Sequence, residues 1–272
     1  MPARSSVHRH TVQVRDIPLE VFEAGGGPPV LFLHGLTGAA ASLDTIQVLS
    51  EGYHVFAPSH PGYGESARPA AVDAIDDVAY IYLDLIEQIA AEHGPVAVVG
   101  CSIGAWIAAE VAIRSQVWIS SLVLSTPLGV KVGGPLELDV LDMYAVTPKV
   151  VREAMYADPD FGIVDFSSMS DEQLQVHFRN LEATALYGWK PYLHNPKLLG
   201  HLPRITTRTL IVQGDSDGFI SPALPAAYRD AIAGSTLETI LHAGHEPERE
   251  QPQAFGSLVA DFVSRVSVLQ NS

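Results

Sequence analysis

The chain has 272 residues, 47% hydrophobic and 17% charged, which is enough apolar side chain for a large core and excludes a disordered chain. Its net charge of −15 comes without the basic patches that displace counterions from phosphate, which excludes nucleic acid as a partner. The lone cysteine, Cys101, excludes an internal disulfide, and every apolar run falls short of the about 18 residues of a membrane span.

The polar stretch 1–10 does not read as a signal peptide. A cytoplasmic protein, monomer or homodimer, is therefore expected. Val12 and Val14, then Leu19 and Val21, alternate with polar residues and predict two strands joined by a turn at 16–18. The breaker Gly25-Gly26-Gly27-Pro28-Pro29 precedes Val30-Leu31-Phe32-Leu33, the continuous apolar run of a strand buried on both faces. A further strand is predicted over 53–57, stopped by Pro58. A helix over 76–91, a buried strand over 96–99, a helix over 105–114 and a strand over 117–124 follow. Strands over 207–212 and 236–241 and a helix over 252–264 continue the alternation, which predicts a parallel sheet covered on both faces.

Between 128 and 202 the alternation stops. Helix-like segments at 136–144, 149–156 and 171–187 replace it, and Ser170 with Gln173 forms a capping pair. This stretch reads as a helical cap inserted after the sixth strand, dividing an α/β core into 1–127 and 203–272. Its aromatic residues, among them Tyr144, Tyr156, Phe161, Phe178 and Trp189, predict either an apolar pocket over the site or the cap's own core.

The strongest local motif is Gly100-Cys101-Ser102-Ile103-Gly104, between a predicted strand and a predicted helix. A G-x-S-x-G at such a junction makes a nucleophile elbow, which strains the serine backbone and lifts its hydroxyl above the sheet edge. The flanking positions must be tiny because strand and helix nearly touch. Ala105, Ala108, Ala109 and Ala112 give the helix a small-residue face for that approach. A serine hydroxyl is a weak nucleophile at neutral pH, so an acid and then a histidine are expected downstream, each at a strand end. Asp215 and Asp217, in Gly214-Asp215-Ser216-Asp217-Gly218, are the candidate acids, with Asp217 preferred. His242 and His245, in His242-Ala243-Gly244-His245, are the candidate bases. His245 is preferred because it completes the order Ser, Asp, His, whereas His242, nearer the strand end, can point into the structure.

With Leu33-His34-Gly35 and His60-Pro61-Gly62-Tyr63-Gly64-Glu65-Ser66, these motifs span the whole predicted core. On them the chain resembles the α/β-hydrolases of the capped, esterase-like type. The resemblance implies an α/β-hydrolase fold with a mostly parallel eight-stranded sheet flanked by helices. It makes Asp217 the acid and His245 the base, and points to the Leu36 N–H beside the Ile103 N–H as the oxyanion hole. The expected activity is acyl-enzyme hydrolysis of a small, largely apolar carboxylic ester. Similarity to the meta-cleavage-product hydrolases keeps C–C bond cleavage open, lactone or thioester hydrolysis is a further alternative, and a catalytically silent ligand-binding protein is the non-enzyme one. No cofactor and no metal are expected, since no Cys/His cluster has zinc spacing. The expected partner is a small-molecule substrate.

Overall fold

The computed structural model describes residues 6–270, so part of the stretch 1–10 lies outside the described residues. Strands β1 (His8–Val14), β2 (Ile17–Gly25) and β3 (Pro29–Leu33) open the chain, followed by helix α1 (Leu43–Leu49) and β4 (His54–Pro58). Next come α2 (Ile75–His93), β5 (Val96–Cys101), α3 (Ile103–Arg114) and β6 (Ile119–Ser125). Between β6 and β7 (Thr209–Gly214) lie α4 (Pro148–Met155), α5 (Asp171–Gly188) and the short α6 (Leu198–His201). After β7 come α7 (Ala223–Ala231), β8 (Thr236–Ile240), the single turn α8 (Pro247–Glu250) and α9 (Pro252–Gln270).

The eight strands form one sheet in the order β1-β2-β4-β3-β5-β6-β7-β8. β1 and β2 are antiparallel, as are β2 and β4, and every other pair is parallel. This is the α/β-hydrolase architecture expected from the sequence. Period-2 alternation sends Leu31, Leu33, Val96 and Val98 to one face, packed with α2 and α3. Val30, Phe32, Ala97 and Val99 go to the other, against Ile46 and Leu49 of α1 and Phe255 and Val259 of α9. Helices on both faces explain why the central strands read as unbroken apolar runs. The chain leaves β3 for β4 on one side and places β5 on the other, so the loops after β3 and β5 meet at a topological switch point.

The structure corrects several expectations. The first turn is Arg15–Asp16, with Val14 paired to Ile17 and Arg15 at φ 55°, while Pro18 lies within β2. The helix expected over 136–144 is absent. The Val132 and Gly133 N–H groups donate to the Asp139 carboxylate at 2.9 Å, Lys131 Nζ closes on it at 2.7 Å, and Leu136 and Leu138 are exposed while Val140 packs into the core in an extended segment. Two helices unread in the sequence, α1 and α7, cover the sheet. Among the described residues, no strand of the sheet lies between β6 and β7. The Ser170–Gln173 capping pair starts α5, with Gln173 N donating to Ser170 Oγ and Ser170 N to Gln173 Oε1.

Candidate active site

The elbow begins at the packing of glycines. A Cβ on Gly100 would lie 2.4 Å from the Gly104 carbonyl oxygen, and one on Gly104 would lie 2.1 Å from that of Leu33. Only glycine permits this approach of β5, β3 and α3. Ala105, Ala108, Ala109 and Ala112 are fully buried along the same helix. Between strand and helix, Ser102 takes φ 54° and ψ −116°, a conformation uncommon for a side-chain-bearing residue.

Ser102 Oγ lies 2.8 Å from His245 Nε2, and His245 Nδ1 lies 2.9 Å from Asp217 Oδ2. With a carboxylate on Nδ1, that nitrogen carries the proton and Nε2 accepts from the serine hydroxyl. The other Asp217 oxygen accepts from the Phe219 and Ile220 N–H groups at 2.9 and 3.1 Å, which fixes the carboxylate in its loop. Phe219 packs its ring 4.7 Å from the imidazole. Ser102 and His245 are fully buried and the Asp217 side chain is 7% exposed. Behind the ring, His245 N donates to the Met155 carbonyl at 2.6 Å, and Thr126 Oγ1 donates to the His245 carbonyl at 2.8 Å.

The alternative acid and base lie elsewhere. Asp215 is exposed, accepts from Ala243 N at 3.3 Å and Ser216 Oγ at 3.0 Å, and so tethers the two loops without touching the imidazole. His242 does not point into the structure. It is exposed at φ 56°, where its carbonyl accepts from Gln251 Nε2 at 3.0 Å.

The loop after β3 reaches the same place. A Cβ on Gly35 would lie 3.4 Å from Ser102 Cβ. Among the described residues, the Leu36 and Ile103 N–H groups have no hydrogen-bond acceptor, and Ile103 opens α3, where the first N–H groups lack intrahelical partners. The loop is held by a pair of buried histidines that sequence reasoning left unassigned as a pair. The His34 and His60 rings pack against each other, centroids 3.7 Å apart and tilted by 31°. His60 N donates to His34 Nε2 at 2.9 Å, so His34 carries its proton on Nδ1 and donates to the Gly35 carbonyl at 2.7 Å. His60 Nε2 donates to the His34 carbonyl at 3.0 Å, and Tyr82 OH donates to His60 Nδ1. Burial pushes the His34 pKa down to about 4 and that of His60 well below its usual range, so both rings are neutral spacers.

Sequence reasoning also missed the polar residues around His245. Glu246 and Glu248 are fully buried beside it, and Tyr156 and Arg249 close on Glu246. Their signal was three glutamates in the five residues after His245. The aromatic residues of 128–202 divide: Tyr156 and Tyr187 are buried, whereas Tyr144, Phe161, Phe166, Phe178 and Trp189 are exposed. Among the described residues, no group of three or more His, Cys, Asp or Glu side chains is arranged to hold a metal ion, and no helix is long and apolar enough to cross a membrane.

Fold and site together define the class of α/β hydrolases. Residues 30–257 match the alpha/beta hydrolase family, and the chain belongs to that family. It is 26% identical over 251 residues to the dihydrolipoyllysine-residue acetyltransferase component of the acetoin cleaving system of Cupriavidus necator, covering 87% of this chain but only 64% of that longer protein. It is 24% identical over 262 residues to the 2-hydroxy-6-oxo-6-(2'-aminophenyl)hexa-2,4-dienoic acid hydrolase of Metapseudomonas resinovorans, covering 93% of this chain and 90% of that one. The structure of an esterase from Exiguobacterium antarcticum superposes with a TM-score of 0.75 at 23% identity, covering 93% of this chain and 98% of that one.

Proposed function

We propose that this protein is a serine hydrolase acting through an acyl-enzyme on a small, largely apolar carboxylic ester. The observation that carries the reading is the continuous hydrogen-bonded line from Ser102 Oγ through the His245 ring to the Asp217 carboxylate, 2.8 and 2.9 Å per link. Ser102 Oγ attacks the ester carbonyl carbon while its proton passes to His245 Nε2. Asp217 holds the ring in the required tautomer and stabilises the imidazolium. The Leu36 and Ile103 N–H groups receive the oxyanion. The tetrahedral adduct collapses, His245 protonates the departing alcohol, and the acyl group stays on Ser102. Water, deprotonated by His245, then releases the carboxylic acid and restores Ser102.

Full burial of Ser102 and His245, with the Phe219 ring against the imidazole, supports an apolar substrate drawn out of water. We read 128–202 as the cap and 1–127 with 203–272 as the core. The end of α4 lies on the base loop, and α5 anchors to the loop after β4 through Tyr187 OH to the Pro61 carbonyl at 2.9 Å and Tyr63 OH to Thr184 Oγ1 at 2.8 Å. A cytoplasmic location accords with the single buried thiol.

A second reading, C–C bond cleavage beside a ketone, is favoured by the similarity to the Metapseudomonas dienoic acid hydrolase. A fluorophosphonate probe tests the common core of both: stoichiometric labelling of Ser102 is expected, and a folded protein that resists labelling overturns the enzyme reading in favour of a binding protein. Turnover of p-nitrophenyl esters against a ring-fission dienone then separates the two bonds. Cleavage of the dienone alone overturns the ester assignment.

A further inference from the structure

His245 is followed at once by a carboxylate that the proposed chemistry does not use. Glu246 is fully buried. Removing a carboxylate from water is costly unless it is hydrogen-bonded and paired. The fold supplies both from three separate elements. Thr37, in the loop after β3, donates through Oγ1 to Glu246 Oε1 at 2.9 Å. Tyr156, at the end of α4, donates through its hydroxyl to Oε2 at 2.7 Å. The Arg249 guanidinium of α8 closes on that same oxygen. Arg249 Nη1 also reaches Tyr156 OH at 3.2 Å and Thr37 Oγ1 at 3.4 Å, which joins the four side chains into a ring.

The position of this ring relative to the nucleophile matters more than its stability. Thr37 directly follows Leu36. A Cβ on Gly35 would lie 3.4 Å from Ser102 Cβ and 3.6 Å from Glu246 Oε1, so nucleophile and buried carboxylate flank the same residue of the loop. The Thr37–Glu246 bond therefore ties the residue after the proposed oxyanion donor to the residue after the proposed base, across 209 positions of sequence. Asn180 Nδ2 of α5 adds a second tie, to the Thr37 carbonyl at 3.2 Å.

We propose that Glu246 is a positioning residue for the oxyanion loop: through Thr37 it fixes where the Leu36 N–H points, and Arg249 cancels the charge that would otherwise oppose the oxyanion. This rests on the serine-hydrolase reading. Oxyanion donors act only where they are aimed, and small displacements are amplified in rate. A loosened Thr37 must therefore weaken the transition state more than substrate binding.

The test uses the full chain with Thr37→Val, Thr37→Ala and Thr37→Ser, assayed with p-nitrophenyl butyrate and a fluorophosphonate probe. Either hydroxyl-free variant is expected to lower kcat by about 10- to 30-fold with KM within about 2-fold, and to slow Ser102 labelling by a similar factor. Thr37→Ser is expected to recover both rates to within about 3-fold of the parent. Unfolding temperatures check that the compared proteins are folded, and two hydroxyl-free variants guard against one failing to fold. Unchanged kcat in folded Thr37→Val and Thr37→Ala, or a loss confined to KM, overturns the proposal while leaving the hydrolase reading intact. A parent protein whose Ser102 does not label overturns both.

Discussion

His245 Nε2 stands 2.8 Å from Ser102 Oγ although 143 positions separate the two residues. The contact exists because the loops after β5 and β8 rise from the same edge of one sheet, and because His245 is pinned from behind by Met155 and Thr126.

Removing the proposed nucleophile leaves that scaffold untouched. Ser102→Ala deletes one hydroxyl at the elbow and no packing contact of the core. Ester turnover should fall by about 10⁵-fold or more, with the unfolding temperature within a few degrees of the parent, measured by steady-state kinetics and thermal denaturation. Residual turnover within tenfold of the parent would show a different nucleophile.

Asp217 and Asp215 lie two residues apart in one loop, yet only Asp217 touches the imidazole. Asp217→Asn should lower kcat by about 10³- to 10⁴-fold through the wrong histidine tautomer. Asp215→Asn should cost less than about 10-fold, because its bonds to Ala243 N and Ser216 Oγ only tether loops. The reverse order of damage in a kcat comparison would reassign the acid.

Gly104 has no room for a methyl group, since a Cβ there would lie 2.1 Å from the Leu33 carbonyl oxygen. That neighbour is backbone in the middle of the sheet and cannot swing away. Gly104→Ala should destabilise the fold by about 3 kcal/mol or more, read by urea denaturation. A loss below about 1 kcal/mol would contradict the close approach of α3 and β3.

Glu248 is fully buried beside the Cys101 thiol, and among the described residues no N–H or O–H group makes a well-formed hydrogen bond to its carboxyl oxygens. Burial foremost, then the neighbouring Glu246, pushes its pKa up to about 8 from 4.5. The folded state therefore favours the protonated acid more than the unfolded chain does. The associated stability is fully present below the unfolded value of 4.5 and is lost progressively as pH rises to about 8, at up to ~1.4 kcal/mol per pH unit. Glu248→Gln carries no such proton, so its stability relative to the parent should climb between pH 5 and pH 8. Chemical denaturation across that range checks it. A parallel pair of stability curves would mean that Glu248 ionises as freely in the fold as in the unfolded chain.

The order of strands and helices was legible wherever apolar periodicity was continuous, as in Val30-Leu31-Phe32-Leu33 and Val96–Val99, because burial on two faces leaves that imprint directly in composition. The three principal motif loops were legible because each carries glycine where another backbone segment comes too close for a side chain: Gly100 and Gly104 at the elbow, Gly214 at the end of β7 and Gly244 before His245. Periodicity failed at 136–144, where an aspartate captures backbone donors and Leu136 and Leu138 stay exposed. It also missed α1 and α7.

Sequence alone determined the architecture and the residue types at each strand end, since hydrophobic spacing and turn chemistry are local properties. It also narrowed the acid and the base to two neighbours each. Tertiary structure alone decided which neighbour faces the imidazole, how His34 packs against His60, and why Thr37 meets Glu246. Those relations depend on strand order, which sets β3 beside β5 and lines β7 and β8 along the same edge. Local periodicity records which face of a strand is buried but carries no information about which distant loop will stand across from it.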